Sequence, residues 1–443
     1  MPTGRLLNAT AVQVKAETPP FPKKITDLSQ FKAYKLPVCG GCRLDQRRDT
    51  LRQSAQSNAE PLGGGHRMSR VSHVAQWALS LVLGSMMAGC GSDQIMDGTE
   101  TTTDGGGGGY VSDPLRQCMM TLGRLTVVGN QLLVNCGGQM VPTRLKGINR
   151  SGLQHKNGLQ MAGFGSDPTT ELQQWRDLWK TVVVRLPIGQ TYYLFYDSYR
   201  QDIAAIIAAA KSLGIYVILE LHGYDAANLN EAQPDPVTTP MFWGQVAQRF
   251  GSETHVLFDI WNEPHDVPWS TWKGNAEAII RAIRAAGASD TLVVVGGLDY
   301  AYDLTPLLQP SNRITGLGPI IYATHPYPLK TTPPAMAPEW DAKFGNVAKL
   351  LPVLIGEYGV DDSSGSPFGL GSKSAAHNWM MQLHNYIDEH QLSALAWSGG
   401  DMPQLTRGKS SAAVNLPSNP PDPTQPTDPF GVDVKAWMVK PIL

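Results

Sequence analysis

Eight short apolar runs, separated mostly by helix-patterned stretches, constrain this chain more than any other feature. They are Thr143–Asn149, Thr181–Pro187, Ile215–His222, His255–Trp261, Thr291–Gly296, Pro319–His325, Val353–Glu357 and Leu392–Trp397. Most are near-continuous in Val, Ile and Leu, the pattern of strands buried on both faces. Leu172–Lys180, Ser198–Leu213, Phe242–Phe250, Trp272–Ala286, Trp340–Leu351 and Ala375–His390 read as helices. Buried strands joined by helical crossovers require a parallel sheet covered on its outer face. Eight of them favour the α/β class and a closed (β/α)₈ TIM barrel. An open doubly wound sheet is the alternative. No Gly-rich phosphate fingerprint follows the first strand, which argues against a dinucleotide-binding version of it. A small N-terminal β-hairpin (Leu125–Val128 and Leu132–Asn135) precedes the barrel. Met402–Pro429, rich in Pro, Ser and Asp, reads as a long loop, and Gly431–Met438 as a short closing helix.

The front of the chain reads as an address. Within Met68–Cys90, Arg70 and His73 precede an apolar run from Val74 to Ala88, too short for a comfortable membrane span and suited to a signal peptide. Met87-Ala88-Gly89-Cys90 resembles the lipobox of bacterial lipoproteins, which implies cleavage after Gly89 and lipidation of Cys90. A lipid chain anchors without spanning. The expected location is therefore the outer face of a bacterial envelope, on the outer membrane or cell surface, or secreted. Residues 91–114 are polar and Gly-rich, the composition of a flexible linker. Residues 1–67 are basic and carry no sustained hydrophobic period; they read as an over-annotated or disordered extension. The catalytic domain is assigned to residues 115–443.

At 42% hydrophobic residues the chain can bury a large core, and a net charge of −2 gives no signal for nucleic acid. Cys118 and Cys136 flank the hairpin and are disulfide candidates in an exported protein. Cys39 and Cys42 form a lone CxxC, a weak metal or redox signal.

In a barrel of this kind chemistry collects at the C-terminal ends of the strands. Those ends carry Arg185, His222, Asn262-Glu263, His325 with Tyr327, Glu357 and Trp397. Each alone has an ordinary structural explanation, as an ion pair, a satisfied core histidine or a packing aromatic. Together at one rim they do not. Two carboxylates, Glu263 and Glu357, at the mouths of apolar strands are costly to bury without a task, and paired carboxylates are the machinery of glycoside hydrolysis.

These residues, with Leu145-Lys146-Gly147-Ile148-Asn149, Asn262-Glu263-Pro264 and Gly356-Glu357-Tyr358-Gly359, resemble the signature of glycoside hydrolase family 5 over roughly residues 120–443. The resemblance implies a (β/α)₈ retaining glycosidase with Glu263 as acid/base and Glu357 as nucleophile. It implies support from Arg185, His222, Asn262, His325 and Tyr327, and a stacking floor at Trp397. Glu220 stands where many relatives carry Asp and is read as without catalytic consequence. Tyr224, Trp269 and Tyr300 fall in expected rim loops and are candidates for further sugar subsites. No metal or organic cofactor is expected, and a monomer is. The implied activity is a retaining endo-β-glycanase acting on polysaccharide, foremost a cellulose-like β-1,4-glucan. A β-mannan, β-1,3-glucan, xyloglucan or glycolipid is the alternative substrate within the family. A transglycosylase or a non-catalytic glycan-binding lipoprotein are the remaining readings.

Overall fold

The computed structural model describes residues 113–155, 167–225, 227–330, 336–364, 366, 368–408 and 421–442. The signal peptide, Cys90 and its lipobox, Cys39 and Cys42, and residues 1–67 lie outside these. The eight apolar runs form one closed, all-parallel barrel. In chain order its strands are β1 (Lys146–Asn149), β2 (Val183–Gly189), β3 (Tyr216–Gly223), β4 (Val256–Asp259), β5 (Val293–Gly296), β6 (Ile320–Thr324), β7 (Val353–Ile355) and β8 (Ser393–Ala396). Each pairs with its neighbours in sequence, and β8 closes on β1.

Side-chain alternation explains what the barrel encloses. On β2, Val184 and Leu186 join the outer core against the helices, whereas Val183 joins the inner core. On β3, Val217, Leu219 and Leu221 face outward and Tyr216 and Ile218 inward. The inward rows then change character toward the C-terminal ends. Val183 is followed at the next inward position by Arg185, Ile218 by Glu220, and Leu257 by Asp259, all three charged residues buried. The lower interior is therefore hydrocarbon and the upper interior ionic.

The outer layer includes α1 (Pro168–Trp179), α2 (Asp197–Ser212), α3 (Thr238–Phe250), α4 (Trp269–Ala285), α5 (Lys373–Glu389) and the closing helix α6 (Phe430–Met438). Asp167 caps α1 ahead of a proline, and Ser372 caps α5. The helix expected at Trp340–Leu351 is divided into a short helix Ala337–Trp340, a π-type turn Asp341–Gly345 and a short piece Asn346–Ala348. Between β5 and β6 the helical elements are two 3₁₀ turns, Thr305–Leu308 and Pro310–Asn312. Among the described residues no helix is long and apolar enough to cross a membrane.

Three sequence expectations change. Asp113 and Pro114, assigned to the linker, cap and begin a helix Pro114–Met119. The N-terminal hairpin is a three-stranded antiparallel sheet, its third strand being Gln139–Thr143. That strand is mostly solvent-facing and contains Pro142, so its hydrophobic signal is weak. A Gly137-Gly138 turn with φ of 63° and 97° joins it to the second strand. Finally, the segment read as a loop contains a two-stranded sheet, Thr406–Gly408 with Pro421–Pro426. Its second strand holds three prolines, which a two-stranded edge tolerates but a sequence pattern does not suggest.

The N-terminal sheet closes the bottom of the barrel, with Leu125, Leu132 and Val134 in the inner core. Cys118 and Cys136 are joined in a disulfide that spans 18 residues of sequence and ties this plug to its preceding helix. For a loop of that length, reduction is expected to cost about 3 kcal/mol of stability. A thermal melt with and without reductant checks this, and an unchanged Tm would contradict it.

Candidate active site

Arg185 organises the upper interior. Fully buried, its guanidinium donates from Nε to Asp259 Oδ2 at 2.9 Å and from Nη2 to Asn262 Oδ1 at 2.9 Å. Its Nη1 donates to Asn149 Oδ1 at 2.9 Å and to Glu357 Oε1 at 2.6 Å. Glu220 Oε2 lies 3.5 Å from Nη1. Burial works against this charge, but Glu220, Asp259 and Glu357 outweigh it, so Arg185 is held cationic more firmly than an ordinary arginine.

Glu357 follows β7 and is 3% exposed. Its second oxygen accepts from the Tyr327 hydroxyl at 3.0 Å. Burial, with the Glu357 charge, raises the Tyr327 pKa well above its usual value, so the phenol stays protonated and donates. Two donors on two oxygens stabilise an ionised carboxylate and fix its orientation.

Glu263 follows β4 and is placed differently. His325 Nδ1 lies 2.9 Å from its Oε1. Burial raises the pKa of Glu263, opposed by the Lys330 ammonium and the more distant cations. Burial pushes His325 down to about 3, so its imidazole is neutral and can exchange a hydrogen bond with Glu263 in either protonation state. The ring is packed so closely that a Cβ at position 356 would sit 2.7 Å from its Nε2, which accounts for Gly356. One oxygen each of Glu263 and Glu357 and one nitrogen of His325 lie within 4.8 Å of one another. That trio could also hold a metal ion. A cation there would engage oxygens of both carboxylates.

Above the pair opens a cleft of about 360 Å³. Asn262 lines it, and because its carbonyl oxygen is engaged by Arg185, its amide nitrogen is directed toward the cleft. Trp397 lines the opposite side, stacked on His222 at 5.4 Å with its indole nitrogen donating to Met402 O. Burial lowers the pKa of His222, but Glu220 Oε2, 3.0 Å from its Nδ1, reverses this and raises it overall.

All eight signature residues therefore meet at one rim. The three subsite candidates divide. Tyr300 lines the cleft, stacked on His265 at 4.0 Å with the Lys330 ammonium over its ring at 4.9 Å. It is held there by a turn in which Asp299, Tyr300 and Ala301 all have positive φ, of 55°, 57° and 59°. Three non-glycine residues in that region are costly. The turn is pinned by Tyr300 N to Pro264 O and by Lys330 Nζ to Asp299 O. Trp269, by contrast, is buried in the outer core with its indole donating to Asn312 O, and Tyr224 packs on Trp261; neither lines the cleft.

Sequence reasoning passed over Lys330, Phe368 and Asp401, which line the cleft from loops. It also passed over Asp259 and dismissed Glu220. Glu220, read as without catalytic consequence, is a buried carboxylate in contact with His222 and near Arg185. The signal was present in the inward alternation of β3 and β4, where a charged residue follows an apolar one on the inward row of each strand.

Residues 140–402 match the profile of the family described as Cellulase (glycosyl hydrolase family 5). Among similar proteins, a manganese dependent endoglucanase Eg5A of Phanerodontia chrysosporium is 31% identical over 143 residues, 30% of this chain and 36% of that protein. Endoglucanase E-5 of Thermobifida fusca is 26% identical over 298 residues, 63% of this chain and 56% of that protein. The chain thus spans between about a third and just over half of these relatives' lengths. The catalytic domain of Thermobifida fusca endoglucanase Cel5A (E5) shares the fold with a TM-score of 0.59 at 21% identity, covering 74% of this chain and 100% of that one. A β-glucanase, SdGluc5_26A from Saccharophagus degradans, in complex with cellotetraose gives 0.57 at 22%, covering 71% and 93%.

Proposed function

The chain belongs to glycosyl hydrolase family 5, and from that footing we propose a retaining endo-β-glucanase that hydrolyses cellulose-like β-1,4-glucan. The observation that carries this reading is the carboxyl pair, with one oxygen of each within 4.8 Å, in two contrasting environments. Retaining enzymes hold their carboxyls roughly 5–5.5 Å apart, whereas inverting ones leave room for a water between them. The endoglucanase and β-glucanase relatives support the substrate class.

In the proposed cycle the Glu357 carboxylate, oriented by hydrogen bonds from Arg185 and Tyr327, attacks the anomeric carbon. Glu263 gives its proton to the departing glycosidic oxygen. The sugar is then an ester on Glu357. Glu263, now ionised, takes a proton from water, whose oxygen attacks the same carbon and restores the Glu357 carboxylate. The Asn262 amide donates to the 2-hydroxyl, and Trp397 covers the apolar face of the sugar.

The test is hydrolysis by residues 113–443 of carboxymethylcellulose, barley β-glucan, glucomannan, galactomannan, laminarin and xyloglucan, with product anomers followed by NMR. Cleavage of β-1,4-glucan with the β-anomer appearing first is expected. Cleavage confined to mannan would move the substrate, and an α-anomer would refute retention. The raised pKa of Glu263 also sets a pH expectation. Activity requires Glu263 protonated, so the alkaline limb of kcat/KM should lie above the ordinary carboxyl range, near 4.3. A pH–rate profile falling already around pH 4–5 would contradict this.

The lipid-anchored envelope location is likewise proposed, from the lipobox around Cys90. Incorporation of labelled palmitate by the full chain, lost in Cys90→Ala, is the expected result.

A further inference from the structure

Two buried acids take no part in the cycle above. Glu220 on β3 and Asp259 on β4 are register partners in adjacent strands, and both sit on the inward row beneath the nucleophile. Each places one oxygen on Arg185, Asp259 at 2.9 Å and Glu220 at 3.5 Å. Each also keeps its other oxygen, Glu220 Oε1 and Asp259 Oδ1, buried with no hydrogen-bond partner. A buried carboxylate oxygen without a donor is unusual and costly. Here there are two, from residues that share one guanidinium.

We propose that Glu220 and Asp259 hold a single proton between them, and that this neutralised pair positions Arg185 on the nucleophile. The proposal requires these two oxygens, carried by register partners on adjacent inward rows, to face one another, so that one hydrogen donated from one to the other satisfies both.

The charges that face the pair support this. From β2 comes Arg185, from β3 His222, from the end of β7 Glu357, from the end of β4 Glu263, and from beyond β6 the neutral His325. The Tyr199 hydroxyl of α2 is already engaged, donating to Leu153 O and accepting from Gly189 N. With Glu220, Asp259 and Glu357 all ionised, three enclosed carboxylates would face the Arg185 guanidinium, with His222, its pKa raised, beside Glu220. With one proton shared, Arg185 answers two: the pair's single charge and Glu357. Burial, with Glu220 and Glu357 nearby, raises the pKa of Asp259 against the pull of Arg185, in the direction the pair requires. Glu220 and Asp259 are positioning residues, since neither lines the cleft and both act on Glu357 through Arg185.

The proposal builds on the reading of Glu357 as nucleophile, but its test does not depend on activity. Infrared spectra are recorded at pH 6 on full-length Glu263→Gln protein, which removes the acid/base's own carboxyl. A protonated-carboxyl carbonyl band that shifts in D₂O is expected. It should vanish when either Asp259→Asn or Glu220→Gln is added, because each amide supplies the hydrogen and leaves the other carboxyl ionised. The pH dependence of stability provides a second readout. The slope of unfolding free energy against pH counts protons held by the folded state but not by the unfolded chain, and should fall by one proton in each variant. No band in the parent would overturn the proposal without any further variant having to fold. Loss of the band in one variant but not the other would overturn sharing. Activity on β-glucan, measured separately, addresses the proposed function alone.

Discussion

Replacing Glu357 by glutamine is expected to lower kcat on soluble β-glucan by about 10⁴-fold or more, the scale seen when a covalent nucleophile is removed. Cello-oligosaccharide binding should change little. Both Glu357 oxygens accept hydrogen bonds, from Arg185 Nη1 and from the Tyr327 hydroxyl. Glutamine keeps one acceptor for Arg185, and its amide can donate to a rotated Tyr327 hydroxyl, so the site keeps its shape while losing its nucleophile. Isothermal titration on the variant separates the two effects. Near wild-type turnover would sink the assignment of Glu357. In Glu357→Ala, azide in the vacated space should restore cleavage of an activated aryl cellobioside and give the inverted glycosyl azide.

The second large effect belongs to Glu263. Glu263→Gln should reduce kcat on glycan by about 10²–10⁴-fold, the usual contribution of a positioned general acid and base. The first step on an aryl cellobioside with an acidic phenol should suffer far less, because that leaving group departs without a proton. Equal losses on both substrates would contradict the acid/base role. The same substitution carries a stability signature. The folded pKa of Glu263 is raised, so just above the ordinary carboxyl range the folded protein keeps a proton that the unfolded chain has lost. Stability from this group therefore falls as pH rises through the window between its unfolded and folded pKa values. Glutamine cannot ionise, so the variant's Tm should decline less than that of the wild type as pH rises toward neutrality.

His325 bears on the separation of the two proposed roles. A cationic histidine between the carboxylates would favour ionisation of both. Burial instead holds the ring neutral, and only Glu357 receives a guanidinium and a phenol. The two like side chains thus differ in which donors reach each one.

Much of this was legible in the sequence because it is written in local pattern. Near-continuous apolar runs specify strands covered on both faces, and their number and spacing lead to a closed barrel. A polar residue ending such a run has nowhere to go but the rim, so Arg185, His222, Glu263, His325, Glu357 and Trp397 could be placed before any coordinates. Elements whose stability does not come from burial were not legible. The strand Gln139–Thr143 is largely exposed, and Pro421–Pro426 pairs despite its prolines. Rim aromatics were ambiguous for a related reason. Trp269 and Tyr300 both follow strand ends, but Trp269 opens an amphipathic helix and turns into the core. Tyr300 is held in the cleft by a left-handed turn anchored to Pro264 and Lys330, whose positive φ values no residue type there announces.

By itself, then, the sequence determined the architecture and the roster of reactive side chains, since both follow from hydrophobic period and from what terminates each strand. Tertiary structure alone decided their partnerships. Arg185 meets Glu357 across 172 positions and Asp259 across 74, and the distances depend on register and barrel closure. Those contacts give Glu357 two donors and leave Glu263 with its pKa raised by burial, because the free energy of a buried charge is set by the donors within hydrogen-bond reach in space, wherever they lie along the chain.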